Sequence, residues 1–235
     1  MSLRDAWDSH AEEWTRWARA PGHDSYWRFH RRRFLDLLPP PGRLTVDIGA
    51  GEGRVGRDLQ ERGHAVVSLD ASPRMIRACA QHPVAQPTIL ANAVALPVRS
   101  EVADLGVAFM SLQDMDHYEA AVAEAARVLV PGGRLCLAVV HPISSAGGFE
   151  GERAVDDPFV IRGSYLEERR RAESFERDGL TMTFHSFHRS LEAYSRALES
   201  AGFIVEALRE VTDDNTADRW HRIPLFLHLR ARRAG

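Results

Sequence analysis

The stretch VDIGAGEGR, from Val46 to Arg54, decides how the rest of the sequence is interpreted. It follows the apolar residue Leu44 and combines three glycines with two acidic residues. Glycine lacks a Cβ, so its backbone can take positive φ angles and approach a ligand closely. The helix expected after this turn offers free backbone N–H groups at its first residues. The stretch therefore predicts a strand, a ligand-binding turn and a helix.

Composition narrows the classes of protein that this chain can represent. With 235 residues, 44% of them hydrophobic, it can bury the core of one α/β domain with extra segments. A net charge of -3 gives no electrostatic reason to expect nucleic acid or a membrane surface as a partner. Two cysteines, one of them in an apolar run, argue against a disulfide framework. The N-terminal stretch lacks the apolar region that a signal peptide has, so we expect a cytoplasmic protein.

Downstream of the glycine turn, short apolar stretches alternate with helical patterns. This alternation predicts βαβ units and a mostly parallel sheet covered by helices on both faces. The polar segment that follows position 141 is too long for an ordinary connection, so it is interpreted as a lid or substrate-side insertion. A late helix and two final strands are expected to close the sheet, with the last two strands antiparallel at its edge. The predicted strands are 43–48, 64–70, 87–92, 102–110, 134–140, 203–208 and 224–232, and the predicted helices are 53–63, 72–81, 118–130 and 190–202.

Two ligands compete for the glycine turn. Gly51, Gly53 and Gly56 satisfy the dinucleotide pattern G-x-G-x-x-G, and Asp70 lies near the spacing expected for an acid on the ribose. A pyrophosphate, however, would sit beside the carboxylates of this turn, Asp47 and Glu52, each opposing it by about 1 to 4 kcal/mol. A ligand with an ammonium group and a sulfonium centre would be attracted instead. The charges therefore favour S-adenosylmethionine over NAD.

Five motifs in order extend this interpretation. VDIGAGEGR, VVSLDASPRM, ANAVALPV, ADLGVAFMSLQD and VLVPGGRL resemble the successive motifs of class I S-adenosylmethionine-dependent methyltransferases, in the small-molecule branch. The resemblance runs from about Leu44 to Val140 and is looser beyond. It implies one Rossmann-like α/β domain, 1–235, with a mostly parallel seven-stranded sheet. Its parts would be a helical cap (1–42), a cofactor-binding core (43–141), a lid insertion after the fifth strand (142–185), and a C-terminal helix with edge strands (186–235).

The resemblance also implies how the cofactor would be held. The first acid of the turn would bind the methionine end, Asp70 would bind both ribose hydroxyls, and the residues after the fourth strand would face the sulfur. Asn92 stands where the family usually has Asp, and its carbonyl can still accept from the adenine amino group. The implied cofactor residues are Asp47, Gly49, Ala50, Gly51, Asp70, Ala71, Met75, Asn92, Ala93, Val94, Met110, Ser111 and Leu112.

Three histidines are the candidates for a base that removes a proton from the methyl acceptor. His141 follows the fifth strand, at the end of the sheet where ligands of open α/β folds bind. His185 and His188 lie in an extended segment whose alternation we expect to point both side chains the same way. A metal site built from these three lacks compact ligand spacing, so none is predicted. Asp114 and Asp116 are interpreted as capping the helix that begins near position 118.

The acceptor pocket is expected to come from the N-terminal helices and the insertion. Their aromatic residues suggest a flat or apolar small molecule, and the predicted contacts are Trp17, Tyr26, Trp27, His117 and Tyr165. The predicted function is methyl transfer by in-line substitution to an O, N or C atom of that acceptor. An NAD-dependent oxidoreductase and a non-catalytic S-adenosylmethionine-binding protein remain as alternatives, and the protein is expected to be a monomer or a homodimer.

Overall fold

A computed structural model describes residues 1–84 and 87–235 of the chain. Its centre is a seven-stranded sheet with the strand order β10-β11-β5-β4-β1-β2-β3. Strands β1 to β5 pair in parallel, while β11 runs antiparallel to both β5 and β10. The strands are β1 Thr45–Ile48, β2 Val66–Asp70, β3 Thr88–Leu90, β4 Ala103–Phe109, β5 Leu129–Val140, β6 Gly147–Phe149, β7 Phe159–Ile161, β8 Arg169–Arg177, β9 Leu180–His188, β10 Phe203–Val211 and β11 Phe226–Arg233.

Helices cover both faces of this sheet, as the alternating sequence pattern predicts. One core cluster includes Leu69, Val122 and Tyr194, and the other, on residues of opposite parity in β5, includes Phe34 and Leu59. Burial of two faces explains why β1 and β4 are almost entirely buried. The helices are α1 Leu3–Ser9, α2 Ala11–Arg19, α3 Arg31–Leu35, α4 Arg54–Glu61, α5 Pro73–Ala80, α6 Tyr118–Val128, α7 Pro142–Ala146 and α8 Leu191–Ser200.

The predicted fold class is confirmed, and the largest boundary shift lies between α6 and β5. The sequence predicts a helix to position 130 and a strand from 134, but α6 ends at Val128 and β5 already pairs with β4 at Leu129. The predicted antiparallel edge is present, with Phe203 opposite Arg233 and Val211 opposite Phe226.

The insertion is more regular than its polar sequence suggests. It contains α7 and two antiparallel hairpins, β6–β7 and β8–β9. The second hairpin turns at Asp178 and Gly179, both with positive φ, as tight two-residue hairpin turns require. Its role as a lid stays a prediction.

The β8–β9 hairpin leans on the N-terminal helices through aromatic rings. The Phe184 ring lies 5.8 to 6.4 Å, centroid to centroid, from the rings of Trp7, Trp14 and Trp17. The indole N–H of Trp7 donates to the backbone oxygen of His185 at 2.9 Å. These contacts join the insertion and the cap into one roof above the carboxyl ends of the central strands.

Within the two described stretches of chain, no helix is both long enough and apolar enough to cross a membrane.

The glycine turn after β1 has no room for a side chain at Gly49. Gly49 has a φ of +73°, and a Cβ placed there would lie 2.5 Å from the Cβ of Ser111. Ser111 is fixed because its hydroxyl donates to the backbone oxygen of Ile48 at 2.7 Å. The turn therefore seats the end of β1 directly against the residues that follow β4.

We predict that Gly49→Ala lowers the free energy of unfolding by more than Gly132→Ala does. Gly132 has a φ of +80° but nothing within 4 Å of its Cβ position, so Gly132→Ala reports the backbone cost alone, about 1 to 2 kcal/mol. Gly49→Ala adds overpacking worth about 1 to 3 kcal/mol. Urea unfolding of both variants provides the comparison. Equal losses would show that the close approach of Gly49 and Ser111 has no energetic weight.

Candidate active site

A cavity of about 760 Å³ opens at the carboxyl ends of β1, β2 and β4, under the aromatic roof. Every predicted cofactor residue except Leu112 lines it. Leu112 is 2% exposed and belongs to the core beneath the loop, which corrects its predicted role. The cavity lies where ligands of open α/β sheets bind, outside the carboxyl ends of the strands.

Asp47 stands out among the cavity residues because it is buried without a full set of partners. Its Oδ2 atom has no hydrogen-bond partner, and the residue is 1% exposed. Burial, reinforced by the nearby Asp70 carboxylate, raises the pKa of Asp47 to about 7. A buried, unpaired carboxylate is costly, so it favours a cationic ligand that can pair with it.

Asp70 is held in place by the backbone around it. Its Oδ2 accepts from the N–H of Gly51 and its Oδ1 accepts from the N–H of Ser72, each at 2.8 Å. Burial raises the pKa of Asp70, and these two N–H groups act in the opposite direction. Each carboxylate oxygen keeps a free lone pair, so the side chain can still accept two hydroxyl groups of a ribose.

Glu52 does not contribute the negative charge that the sequence suggests. Its two oxygens accept from Arg57 at 2.7 and 2.8 Å, and Oε2 also accepts from Arg19 at 3.1 Å. The expectation that this carboxylate repels a phosphate is therefore wrong, because two guanidinium groups neutralise it. The acidic character of the cradle rests on Asp47 and Asp70.

The residues expected around the adenine ring and the sulfur of the cofactor also line the cavity. Asn92 accepts the Val94 N–H on its Oδ1 at 3.2 Å, which leaves a second lone pair on that oxygen. Met110 has a φ of +53°, an unusual angle for a residue other than glycine. Such strain is retained mostly at functional sites, and here it marks the turn out of β4 into the cavity wall.

None of the three histidines predicted as a base lines the cavity. His141 caps α7: its Nδ1 accepts from the N–H of Ile143 at 3.1 Å, and its Nε2 lies 3.1 Å from the Glu210 carboxylate. Burial lowers the pKa of His141, and Glu210 partly offsets that effect. His141 thus shapes the turn between β5 and α7, and its imidazole does not line the cavity.

The expectation that His185 and His188 point the same way is wrong. They are three positions apart in β9, and side chains at odd separations in a strand lie on opposite faces. His188 lies between the Ser145 hydroxyl, 2.7 Å from Nδ1, and the backbone oxygen of Tyr165, 2.9 Å from Nε2. The ring of His185 packs instead against His10, with centroids 5.0 Å apart.

The predicted acceptor contacts divide into two groups. Trp17 and His117 line the cavity. Tyr26 is buried below it, where its hydroxyl donates to Asp58, and that contact with burial holds its pKa well above the usual value. Trp27 is 60% exposed on the outer surface. Tyr165 accepts the Leu191 N–H on its hydroxyl at 3.0 Å, outside the cavity.

Some cavity features escape the sequence patterns. Phe175 and Phe184, from the β8–β9 hairpin, line the cavity beside Trp7 and Trp14. The alternation around the Asp-Gly pair at 178–179 is the signal that could have located them. The predicted caps of α6 are also corrected: His117 occupies the N-cap without a side-chain bond, and Asp116 accepts the N–H of Leu3 at 2.9 Å.

Comparison with known proteins shows which proteins this chain is similar to. Residues 46–137 match the model of a methyltransferase domain. A demethylmenaquinone methyltransferase from Corynebacterium urealyticum is 36% identical over 117 residues, which cover 50% of this chain and 49% of that protein. The chain thus spans about half the length of this curated relative.

Solved structures extend the likeness to nearly the whole chain. An S-adenosylmethionine-dependent methyltransferase from Mesorhizobium loti has a TM-score of 0.71 at 24% identity, over 89% of this chain and 98% of that one. The chain has the class I S-adenosylmethionine-dependent methyltransferase fold. The [4+2]-cyclase SpnF shares this class I fold, with a TM-score of 0.65 at 16% identity over 99% of this chain and 95% of that one.

The resemblance inferred from the five motifs is therefore confirmed at the level of the class I fold.

Across residues 1–84 and 87–235, no group of three or more His, Cys, Asp or Glu side chains is arranged to hold a metal ion.

We predict that Asp47→Asn stabilises the ligand-free protein, and more so as the pH rises. Asp47 has a folded-state pKa of about 7, against an ordinary value of 3.8 for an aspartate side chain. Between these values the unfolded chain has lost its proton and the folded chain has not, so stability falls with rising pH. The full cost is roughly 4 kcal/mol above about pH 7.

Thermal unfolding between about pH 5 and pH 8 tests this linkage. The control is Asp36→Asn, because the Asp36 side chain is 63% exposed and its contact with Arg62, at 3.8 Å, is a loose one. A gain in stability from Asp47→Asn that is the same at both pH values would contradict the burial of an ionisable Asp47.

Proposed function

We propose that this chain transfers the methyl group of S-adenosylmethionine to a flat, apolar small molecule. The observation that carries the proposal is the unpartnered Oδ2 of Asp47, buried close to Gly49, where Ser111 leaves no room for a side chain. A buried carboxylate in that position suits an ammonium group and opposes a pyrophosphate.

The cavity residues suit the successive parts of S-adenosylmethionine. Asp47 would pair with the ammonium group, and the backbone of Gly49 and Gly51 would pass close to the methionine end. Asp70 would accept from both ribose hydroxyls, since its two oxygens are already oriented by backbone N–H groups. Asn92 would accept from the adenine amino group. When bound, this molecule supplies a methyl group already activated on sulfonium.

The protein's own contribution to the reaction is alignment and exclusion of water. Methyl transfer is an in-line substitution, and positioning of the two reactants supplies about 7 to 11 kcal/mol in well-aligned systems. The roof formed by α1, α2 and the β8–β9 hairpin excludes water above the cavity. The hairpin tip is tied down by Arg177, which donates to the backbone oxygen of Gly22, and by His23, 3.1 Å from the Arg177 oxygen.

The walls of the roof indicate the class of acceptor. Trp7, Trp14, Trp17, Phe175 and Phe184 present aromatic surface to the cavity. Such surface favours flat, apolar molecules through offset or edge-to-face ring contacts. The curated relative is named for demethylmenaquinone, a name compatible with an acceptor of this kind. The methylated atom is O, N or C; the cytoplasmic location and the monomeric or homodimeric state stay predictions.

We predict that the protein binds S-adenosylmethionine and S-adenosylhomocysteine but not NADH in isothermal titration. Asp70→Asn weakens the binding of both nucleosides, because a charged carboxylate that accepts hydrogen bonds from the ribose hydroxyls becomes a neutral amide. The loss is about 1.5 to 3 kcal/mol, roughly 10-fold to 150-fold in Kd. Asp36→Asn leaves the affinity unchanged. Binding of NADH in place of both nucleosides would support the oxidoreductase alternative and refute the proposal.

We predict methyl transfer from radiolabelled S-adenosylmethionine to members of a panel of polycyclic phenols and quinols, including demethylmenaquinol. Phe184→Ala raises the acceptor KM by about tenfold or more, since an aromatic contact and its buried area are lost. It leaves the affinity for S-adenosylhomocysteine within about twofold, because this ring belongs to the roof.

Nucleoside binding without turnover on any acceptor would support the second alternative, a non-catalytic S-adenosylmethionine-binding protein. The cyclase on the same fold illustrates that fold alone does not fix the chemistry.

A further inference from the structure

Asp114 is a carboxyl group that the binding of S-adenosylmethionine leaves without a role. It ends the 3₁₀ turn Leu112–Asp114 directly after β4, and its side chain lines the cavity. Its Oδ1 atom is buried and has no hydrogen-bond partner. The predicted role as a helix cap is wrong, since α6 begins after His117 with no side-chain bond at its N-cap.

The backbone on both sides of Asp114 is anchored by a buried arginine. Arg189 is 1% exposed and donates to the backbone oxygens of Leu112, at 3.2 Å, and Met115, at 2.8 Å. Its own charge is balanced by Glu168, which accepts from Nε at 2.7 Å. These bonds fix the turn and leave the Asp114 Oδ1 free.

The neighbouring glutamine ties the same turn to the next strand. The Oε1 of Gln113 accepts the N–H of Val140 at 2.6 Å, at the end of β5. Asp114 is therefore held at the carboxyl edge of the sheet by contacts with β5 and with the segment after β9. A group fixed in this way is suited to a reaction that requires a defined position.

The other acidic groups of the cavity are engaged or exposed. Asp47 and Asp70 face the nucleoside in the proposed function, and Glu176, on β8, is exposed. Arginines pair with the remaining cavity carboxylates: Arg54 with Asp24, Arg57 with Glu52, Arg170 with Asp116, and Arg171 with Glu173.

We propose that Asp114 accepts the proton that the methyl acceptor loses. This step rests on the proposed function. The acceptor's O–H or N–H bond breaks, and its proton goes to the Asp114 carboxylate. The electron pair left on the acceptor forms the new bond to the methyl carbon, directly or through a conjugated ring carbon. The pair of the broken carbon–sulfur bond stays on sulfur, which becomes neutral.

The groups around Asp114 give this step a direction. Burial raises the pKa of Asp114 well above its usual value; Arg189, from the segment after β9, acts against this, Asp70, at the end of β2, adds to it, and a hydrogen bond with the Gln113 side chain acts against it. Tyr194 of α8 also faces the group. A sulfonium in the cavity stabilises the carboxylate, and once the methyl group has left, that positive charge is gone. The carboxyl then holds the proton, which favours completion of the transfer.

The proton count on binding tests this assignment without knowledge of the acceptor. Titration calorimetry in buffers of different ionisation enthalpy gives the protons released when S-adenosylmethionine or S-adenosylhomocysteine binds. The two ligands differ by the charged methyl-sulfonium. We compare Asp114→Asn with the wild type for each ligand, since the ligand's own protons then cancel. Asp36→Asn is the surface control, and Asp114→Ser replaces the amide variant if that variant fails to fold.

We expect Asp114→Asn to reduce the protons released by S-adenosylmethionine between about pH 6 and pH 8, while the count for S-adenosylhomocysteine changes less. Asp47→Asn should lower both counts alike, because both ligands carry the ammonium group. Equal counts for wild type and Asp114→Asn with both ligands would overturn the proposal for Asp114. Absence of binding by the wild type would instead refute the proposed function.

Turnover supplies the second readout once the panel yields an acceptor with an exchangeable proton. Asp114→Asn should lower kcat by about 10²-fold to 10⁴-fold, the usual contribution of a positioned base, with acceptor KM nearly unchanged. An acceptor offered already deprotonated, at high pH, should recover most of the lost rate. A kcat equal to that of the wild type would contradict the assignment.

Discussion

The site depends on one constraint, a carboxylate buried without a partner at the end of a central strand. Asp47 sits on β1, between β2 and β4, where its neighbours in register are Ser68 and Val107. Nothing in that sheet requires an acid there, and burial makes its charge unfavourable. Such a residue lowers the stability of the ligand-free protein, and the proposed function explains it by a cation that binds against it.

The neighbouring turns and strands hold that carboxylate in the wall of the cavity. The glycine turn brings β1 against Ser111, so the backbone itself forms one wall of the cavity. Asp70 is fixed by two N–H groups from the same region. In the proposed function the aromatic roof shields the cavity from bulk water, where charges would be screened and the preference for a cation weakened.

Much of this could be predicted from the sequence because the deciding patterns are local. The glycine turn lies within a few residues, each strand or helix is indicated by its own short stretch, and the place of Asp70 at the end of β2 follows from that alternation. What the patterns could not supply are partners from distant segments. Glu52 is neutralised by Arg19, on α2, as well as by Arg57, and no local pattern shows the first of these contacts. Tyr26 faces Asp58 below the sheet, and only the packing of the cap decides that.

The prediction of a histidine base failed for a different reason. Their residue type suits proton transfer, but position decides whether they can act. His185 and His188 are separated by an odd number of positions in a strand, and His141 is occupied as a helix cap. The Asp-Gly pair of the β8–β9 turn carried usable information about the hairpin, and with it about the side chains that form the roof.

The central claim is that the Asp47 carboxyl is buried, titrates near neutral pH and meets a cation in the bound state. Carbon-13 NMR of labelled aspartate carboxyls, with the signal identified by its absence in Asp47→Asn, measures this directly. The account predicts a pKa of about 7 without ligand and a clearly lower pKa with S-adenosylhomocysteine bound. An Asp47 that titrates near 4 in both states, or one whose pKa does not fall when the ligand binds, would contradict it.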